Sequence, residues 1–238
     1  MKMLYTVLWL ALAGATSCGK EELHFEQGDL KISVETGPHW LHNFPVLLGI
    51  KVKNPPQFAI WLTDLDTNYI GTLFCTHKIA REGWVMNHGN RRKEALPFWA
   101  YCRGVQEADG LFLPTKKTPL TDAVSGATPR EDYALRYEPG SRKHFLIFAE
   151  FNHSTDFNET YPKHARPETS GYSGGKEGSG QPALVYQAEI DLESSSNEWV
   201  LQLAGHSSPD GSDGKLYPDL AGIGTALGIV KKVVVTRK

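Results

Sequence analysis

Four stretches of this chain carry residue types that do chemistry at suggestive spacings. In the first, Gly171-Tyr172-Ser173-Gly174-Gly175 fits Gly-x-Ser-x-Gly, the turn that presents a nucleophilic serine in acyl-transfer enzymes. That turn needs a strand before it and a helix after it, and this serine lies in a Gly- and Ser-rich loop over 167–182 with neither. Asp191 and His206 are available as triad partners, but nothing in the pattern positions them. The second, Gly222-Ile223-Gly224-Thr225-Ala226-Leu227-Gly228, has the glycines of a dinucleotide-binding loop. Only ten residues remain after Gly228, too few for the crossover such a loop serves, so it reads as a turn into the last strand. The third is a scatter of metal-ligand types: His39 and His42, then His153, Asp156 and Glu159 in a polar run. Positions i and i+3 of a strand face opposite ways, which separates the two early histidines. The later run reads as a solvated loop, as does 210–214, which lacks EF-hand spacing. No metal site is expected from them.

The fourth stretch is more specific. Asp122-Ala123-Val124-Ser125-Gly126-Ala127-Thr128 resembles the acceptor sequence Asp-x-x-Ser/Thr-Gly-Ala-Thr/Ser of covalently flavinylated bacterial proteins. The resemblance implies that a secreted flavin transferase joins FMN to the Thr128 hydroxyl through a phosphoester. The residue types suit that step, because a hydroxyl attacking a phosphorus of FAD needs a backbone that can lie in another enzyme's cleft. Gly126 and Ala127 remove side-chain bulk and permit unusual backbone angles. Asp122 and Ser125 can hold the loop by local hydrogen bonds. With average residue usage, five such constrained positions match by chance on the order of once in a thousand chains of this length. Composition alone also permits a plain tight turn here, leading to the strand near Tyr133.

A motif of this kind acts outside the cytoplasm, and the N-terminus agrees with export. Lys2 precedes an apolar run over 3–13, too short to span a bilayer, and small residues follow before Cys18. Residues 1–17 read as a lipoprotein signal peptide, Cys18 as the lipid-bearing first residue of the mature chain, and 18–28 as a tether. Ala15 and Ser17 permit ordinary signal-peptidase cleavage as well. Lys20-Glu21-Glu22 resemble the charged tag that sends bacterial lipoproteins to the cell surface. The expected location is therefore the cell envelope, anchored to the outer membrane through the Cys18 lipid and facing the periplasm or the outside. Export also opens two readings of Cys75 and Cys102: two buried thiols, or a disulfide that an oxidising compartment permits. Such a bridge would stabilise the domain by roughly 3–4 kcal/mol in the chain-entropy model.

The elements that must position these residues are strands. The chain has 238 residues, 40% hydrophobic and 22% charged with a formal net charge of −2, which excludes a disordered chain and leaves no basic excess for nucleic acid. Apolar alternation or short apolar runs predict strands over 30–34, 46–52, 58–63, 69–74, 98–102, 133–137, 145–151, 184–192, 199–203 and 229–236. Asp64 and Asn68 mark the turn of a hairpin between the third and fourth of these. A short helix is expected over 90–96. So many short strands with turns between them favour a single two-sheet sandwich over 29–238 with long loops.

Several of these pieces together resemble a bacterial periplasmic family of unknown function, DUF2271. They are Phe58-Ala59-Ile60-Trp61-Leu62-Thr63-Asp64-Leu65-Asp66, Tyr69-Ile70-Gly71-Thr72-Leu73, Pro97-Phe98-Trp99 and the stretch from Asp122 to Pro129. The resemblance implies an immunoglobulin-like β-sandwich and a neighbourhood of flavin-transfer and membrane-redox proteins. The expected function is an extracytoplasmic electron carrier with FMN on Thr128 and without catalytic residues of its own. Trp40, Trp84 and Trp99 are candidates to stack on the flavin ring, or else core aromatics. The competing expectation is a structural or protein-interaction sandwich that uses its edges or the loop over 152–182 and holds no cofactor.

Overall fold

Alternation in the sequence becomes burial in β1, Leu30–Thr36, where Leu30, Ile32 and Val34 turn inward and the residues between them are half-buried. The computed structural model describes residues 29–45, 51–84, 91–121 and 123–238. The signal segment, Cys18, the tether and Asp122 lie outside the described residues. β1 pairs antiparallel with β12, Val230–Arg237, and with β7, Tyr133–Tyr137, while β10, Glu198–Val200, lies beyond β12. The second sheet has six strands. In order they are β11 (Gln202–His206), β9 (Leu184–Asp191), β8 (His144–Asn152), β4 (Gln57–Thr63), β5 (Tyr69–Thr76) and β6 (Val124–Gly126). A separate ribbon joins β2, His42–Pro45, to β3, Lys51–Asn54. The protein is an all-β two-sheet sandwich.

Two cores follow from this stacking. Between the sheets lie Ile32 and Val34 of β1, Val233 and Val235 of β12, Phe58 and Ile60 of β4, and Phe145, Ile147 and Phe151 of β8. Phe58 stacks on Phe74 at 4.6 Å and on Phe151 at 5.2 Å, with Trp40 6.0 Å away. The second core covers the opposite face of the six-stranded sheet. There Ala59, Trp61, Cys75 and Phe148 meet Leu96, Trp99 and Leu113 from the segment that crosses over them. Every residue of β4 is buried as a result, and the apolar runs 58–63 and 145–151 reflect burial on both faces.

The β4–β5 hairpin turns as expected. Asp64 accepts from the Asn68 backbone N–H and side-chain amide, both at 2.8 Å, and these bonds hold its carboxyl below the usual carboxylate range.

Two expected strands differ. The stretch 98–102 is helical: α2 spans Pro97–Cys102, immediately after the segment where a helix was expected. Pro97 pre-sets the first turn, and no residue of the local chain caps it. The cap comes from β8, where the Glu150 carboxylate accepts from the Trp99 N–H at 2.8 Å and the Phe98 N–H at 3.3 Å. The stretch 199–203 is two strands, β10 in one sheet and β11 in the other. Buried Leu201 marks the crossing, and its N–H donates to Val233 O. Cys75 and Cys102 are free thiols, which corrects the disulfide reading. Cys75 points into the second core from β5 and donates to the Thr76 carbonyl, whereas Cys102 ends α2 half-buried.

Burial raises the Glu150 pKa from the ordinary 4.5 to about 7. A raised carboxyl contributes stability that is present below pH 4.5 and lost as pH rises through 7. Glu150→Gln removes that titration. Its stability relative to wild type is expected to improve by up to about 3 kcal/mol between pH 4.5 and 8, measured by urea unfolding. A pH-independent difference would refute the buried carboxyl as the titrating group.

Candidate functional site

The fourth motif lies at the edge of the larger sheet. β5 runs straight into α1, His77–Ala80, and β6 pairs with the end of β5 in parallel: Phe74 with Val124, Cys75 with Ser125, Thr76 with Gly126. Immediately after β6 the chain leaves the sheet. Ala127 is exposed, Thr128 is half-buried, and Pro129 is buried. Trp40 Nε1 donates to Pro129 O at 2.9 Å from within the inter-sheet core. Thr128 therefore sits between two anchors, strand pairing before it and a buried indole after it. Its Oγ1 donates to Pro56 O at 3.0 Å.

These segments enclose a cleft of about 570 Å³. Gly126, Ala127 and Thr128 form one wall, and Pro55 and Gln57 belong to the turn before and the start of β4. Thr76 donates to the Gln57 side-chain oxygen at 3.0 Å. His77, Lys78 and Arg130 also line the cleft, and no carboxylate does among the described residues. Arg130 is fixed by donating to Lys53 O at 3.2 Å. The Lys78 ammonium sits 5.7 Å from the Trp84 ring centre, and the buried Arg92 guanidinium lies 4.8 Å from the same ring. Burial, then repulsion from Arg92, lowers the Lys78 pKa.

Gly126 does not have the reason expected of it. Its φ is not positive, and a Cβ built on it would meet only Phe74, at 3.9 Å, an ordinary contact. Neither backbone angle nor core space demands a glycine there. The expected cap from Asp122 falls outside the described residues. Of the three tryptophans, Trp99 is fully buried and donates to Thr72 Oγ1 at 2.9 Å, and Trp40 is buried in the core. Both are committed to packing, which leaves Trp84, half-buried next to the cleft residue Gly83.

The other motifs resolve into structure. Ser173 is buried and accepts from the Gly180 N–H at 3.1 Å. Asp191 pairs with His144 at 2.8 Å, while His206 stacks on Tyr217, so no triad assembles. Gly228 before β12 serves close approach: Gly37 and His39 donate to the carbonyls of Ile229 and Gly228, and a Cβ on Gly228 would lie 2.4 Å from the His39 ring. Asp210 and Asp213 are occupied within their own turn, by Ser208, Ser212, Lys215 and Tyr217.

The scattered histidines do meet. His42 and His153 rings lie 5.2 Å apart, and His42 Nδ1 is 3.9 Å from Asp156. Asp156 is already bonded to Gln181 at 2.9 Å and to Thr225 at 2.8 Å, and His153 Nε2 faces the His39 carbonyl at 2.8 Å. Among the described residues no three side chains converge to hold a metal.

The residues missed by sequence reasoning are His77, Lys78 and Arg130, which carry no recognisable spacing because parallel pairing of β5 with β6 is what brings them together. No protein-family model, curated protein or solved structure matches the chain.

Burial lowers the His153 pKa from 6.5 to about 4, with the neighbouring His42 and His39 adding repulsion. Its stability contribution is complete above pH 6.5 and is lost as pH falls toward 4. His153→Gln keeps a donor for the His39 carbonyl without titrating. Between pH 6.5 and 4, wild type is expected to lose up to about 3 kcal/mol more than this variant in chemical unfolding. Parallel acid profiles for the two proteins would locate the sensitivity elsewhere.

Proposed function

We propose that this protein is an exported, lipid-anchored electron carrier that holds FMN covalently on Thr128. The observation that carries the reading is the Thr128 hydroxyl at the mouth of a cation-lined cleft, on a segment supported at both ends. Gly126 adds to it. A glycine that the chain's own folding does not need is accounted for by an outside molecule that approaches the backbone closely.

The residues present fit the group. A volume of about 570 Å³ is in the range of small-molecule pockets, and its charge suits a phosphodiester. In the attachment step Thr128 Oγ attacks the phosphorus of FAD nearest the flavin. The P–Oγ bond forms as the pyrophosphate bond breaks, AMP leaves with the electron pair, and the hydroxyl proton passes to a base of the transferase. The bond from Thr128 Oγ1 to Pro56 O must open for this, at a net cost of about 1 kcal/mol for a half-buried hydrogen bond of ordinary strength. When bound, the flavin supplies one- and two-electron transfer, and the chain supplies position and electrostatics. The partners in this reading are a periplasmic flavin transferase and membrane redox proteins. Anchoring through Cys18 to the outer membrane raises the carrier's effective concentration near them.

Co-expression in a periplasm with an active transferase tests this. Wild type is expected to give a flavin-fluorescent band on a denaturing gel and a mass gain of one FMN, both lost in Thr128→Ala. Gly126→Ala should melt as wild type does yet lose most of the label. An unlabelled wild-type band, with a known acceptor labelled in the same cells, would sink the carrier reading.

A further inference from the structure

The basic side chains of the cleft come from two separate places in the chain. His77 and Lys78 open α1, and Arg130 follows the acceptor segment by two residues. All three side chains are exposed, and no carboxylate among the described residues pairs with any of them. Elsewhere the same chain does pair its charges: Lys231 with Glu35, Lys232 with Glu198, Arg91 with Asp109. Arg130 is also oriented, since its guanidinium is tied to the Lys53 carbonyl. Gln57 adds a neutral group, because its side-chain oxygen accepts from Thr76 and leaves the NH2 as a donor. Lys78 and Arg92 share the Trp84 ring, but Arg92 is balanced by Glu94 at 3.3 Å, so it is Lys78, a lining residue, whose charge is offered to the cleft.

We infer that His77, Lys78 and Arg130, with Gln57, form a non-covalent seat for a phosphate-bearing anion, which holds the phosphate whether or not Thr128 is esterified. A single carboxylate needs one such partner; two cations, Lys78 and Arg130, with the His77 imidazole and the Gln57 amide beside them match the charge of a phosphate monoester and its several acceptor oxygens. The volume beyond the cations leaves room for an organic group larger than the phosphate itself. The choice of a flavin phosphate as that ligand rests on the proposed function, while the seat rests on the cleft's own charges. Within that function, the seat keeps the attached flavin against the protein rather than on a free tether.

The test uses the unmodified mature chain, produced without a transferase, and equilibrium dialysis with FMN and with riboflavin, which differ by the phosphate. FMN is expected to bind at least about tenfold more tightly than riboflavin, and inorganic phosphate and added salt are expected to weaken it. Lys78→Gln combined with Arg130→Gln should bring FMN down to the riboflavin level with an unchanged thermal melt. Lys163→Gln, an exposed lysine outside the cleft, should change nothing. Equal binding of the two flavins, binding of neither, or full FMN binding by the double variant overturns the seat. Labelling of Thr128, read separately by mass, reports on the covalent reading: a labelled protein with no phosphate preference loses the seat alone, and a phosphate preference without label loses the covalent reading alone.

Discussion

Burial of β4 on both faces is the constraint on which the rest of this structure depends. Gln57 through Thr63 are all buried, with Phe58 and Ile60 in one core and Ala59 and Trp61 in the other. An antiparallel sheet ordinarily leaves one face to water, so a strand apolar on both sides requires a second cover. Here α2 and the segment up to Leu120 provide it. That cover has its own difficulty, a helix start buried against a sheet with its N–H groups unsatisfied. Glu150 resolves it from the neighbouring strand, and its raised pKa reflects what burial of a carboxyl costs. Trp99, turned inward by the same helix, finds Thr72.

The placement of the segment over 126–129 is a consequence of how that sheet ends. β5 has its own outer edge, and the strand laid there among the described residues is three residues of β6, in parallel. A strand so short supplies few ladder bonds, and Trp40, reaching out of the inter-sheet core to the Pro129 carbonyl, adds the second hold. Between the two, Ala127 and Thr128 belong to no strand and to neither core among the described residues, and Thr128 is held by the Pro56 bond. The rigid part of the fold thus presents a hydroxyl on a very short span. Such a span is far better defined than a free loop and far easier to open than a strand.

What was legible in the sequence is what local pattern controls. The strand over 133–137 and the Asp64–Asn68 hairpin turn needed only alternation and turn chemistry, and both stand as read. The stretch 98–102 failed because Phe, Trp, Tyr and Cys favour strands, while the group that makes it helical is Glu150, about fifty residues away in the chain. The stretch 199–203 failed because apolar residues recur at 199, 201 and 203 straight through Leu201 although the chain changes sheets there. For the site the division is similar. The motif 122–128 is contiguous and could be seen; the cations opposite it are joined to it only by the β5–β6 pairing.

That division bears on how Gly126 and Thr128 should be understood. Glycines that a fold needs are recognisable by a left-handed φ or by a neighbour where a Cβ would lie, as with Gly211, whose φ is +66° and whose Cβ would lie 2.3 Å from the Lys93 carbonyl. Gly126 has neither mark. The Thr128 hydroxyl likewise makes one half-buried bond to a carbonyl, whereas the Trp40–Pro129 bond beside it is buried and would leave its groups unsatisfied if lost. Gly126 and Thr128, one residue apart, both have low structural value and line a cleft whose Lys78 and Arg130 pair with no carboxylate among the described residues, which supports the proposed reading of this segment as a meeting point with another molecule. A turn kept for the fold alone would have concentrated its specific residues where the chain needs them, at Trp40, Pro129 and the β5 pairing, and would have left the positions in between free to carry any small polar residue.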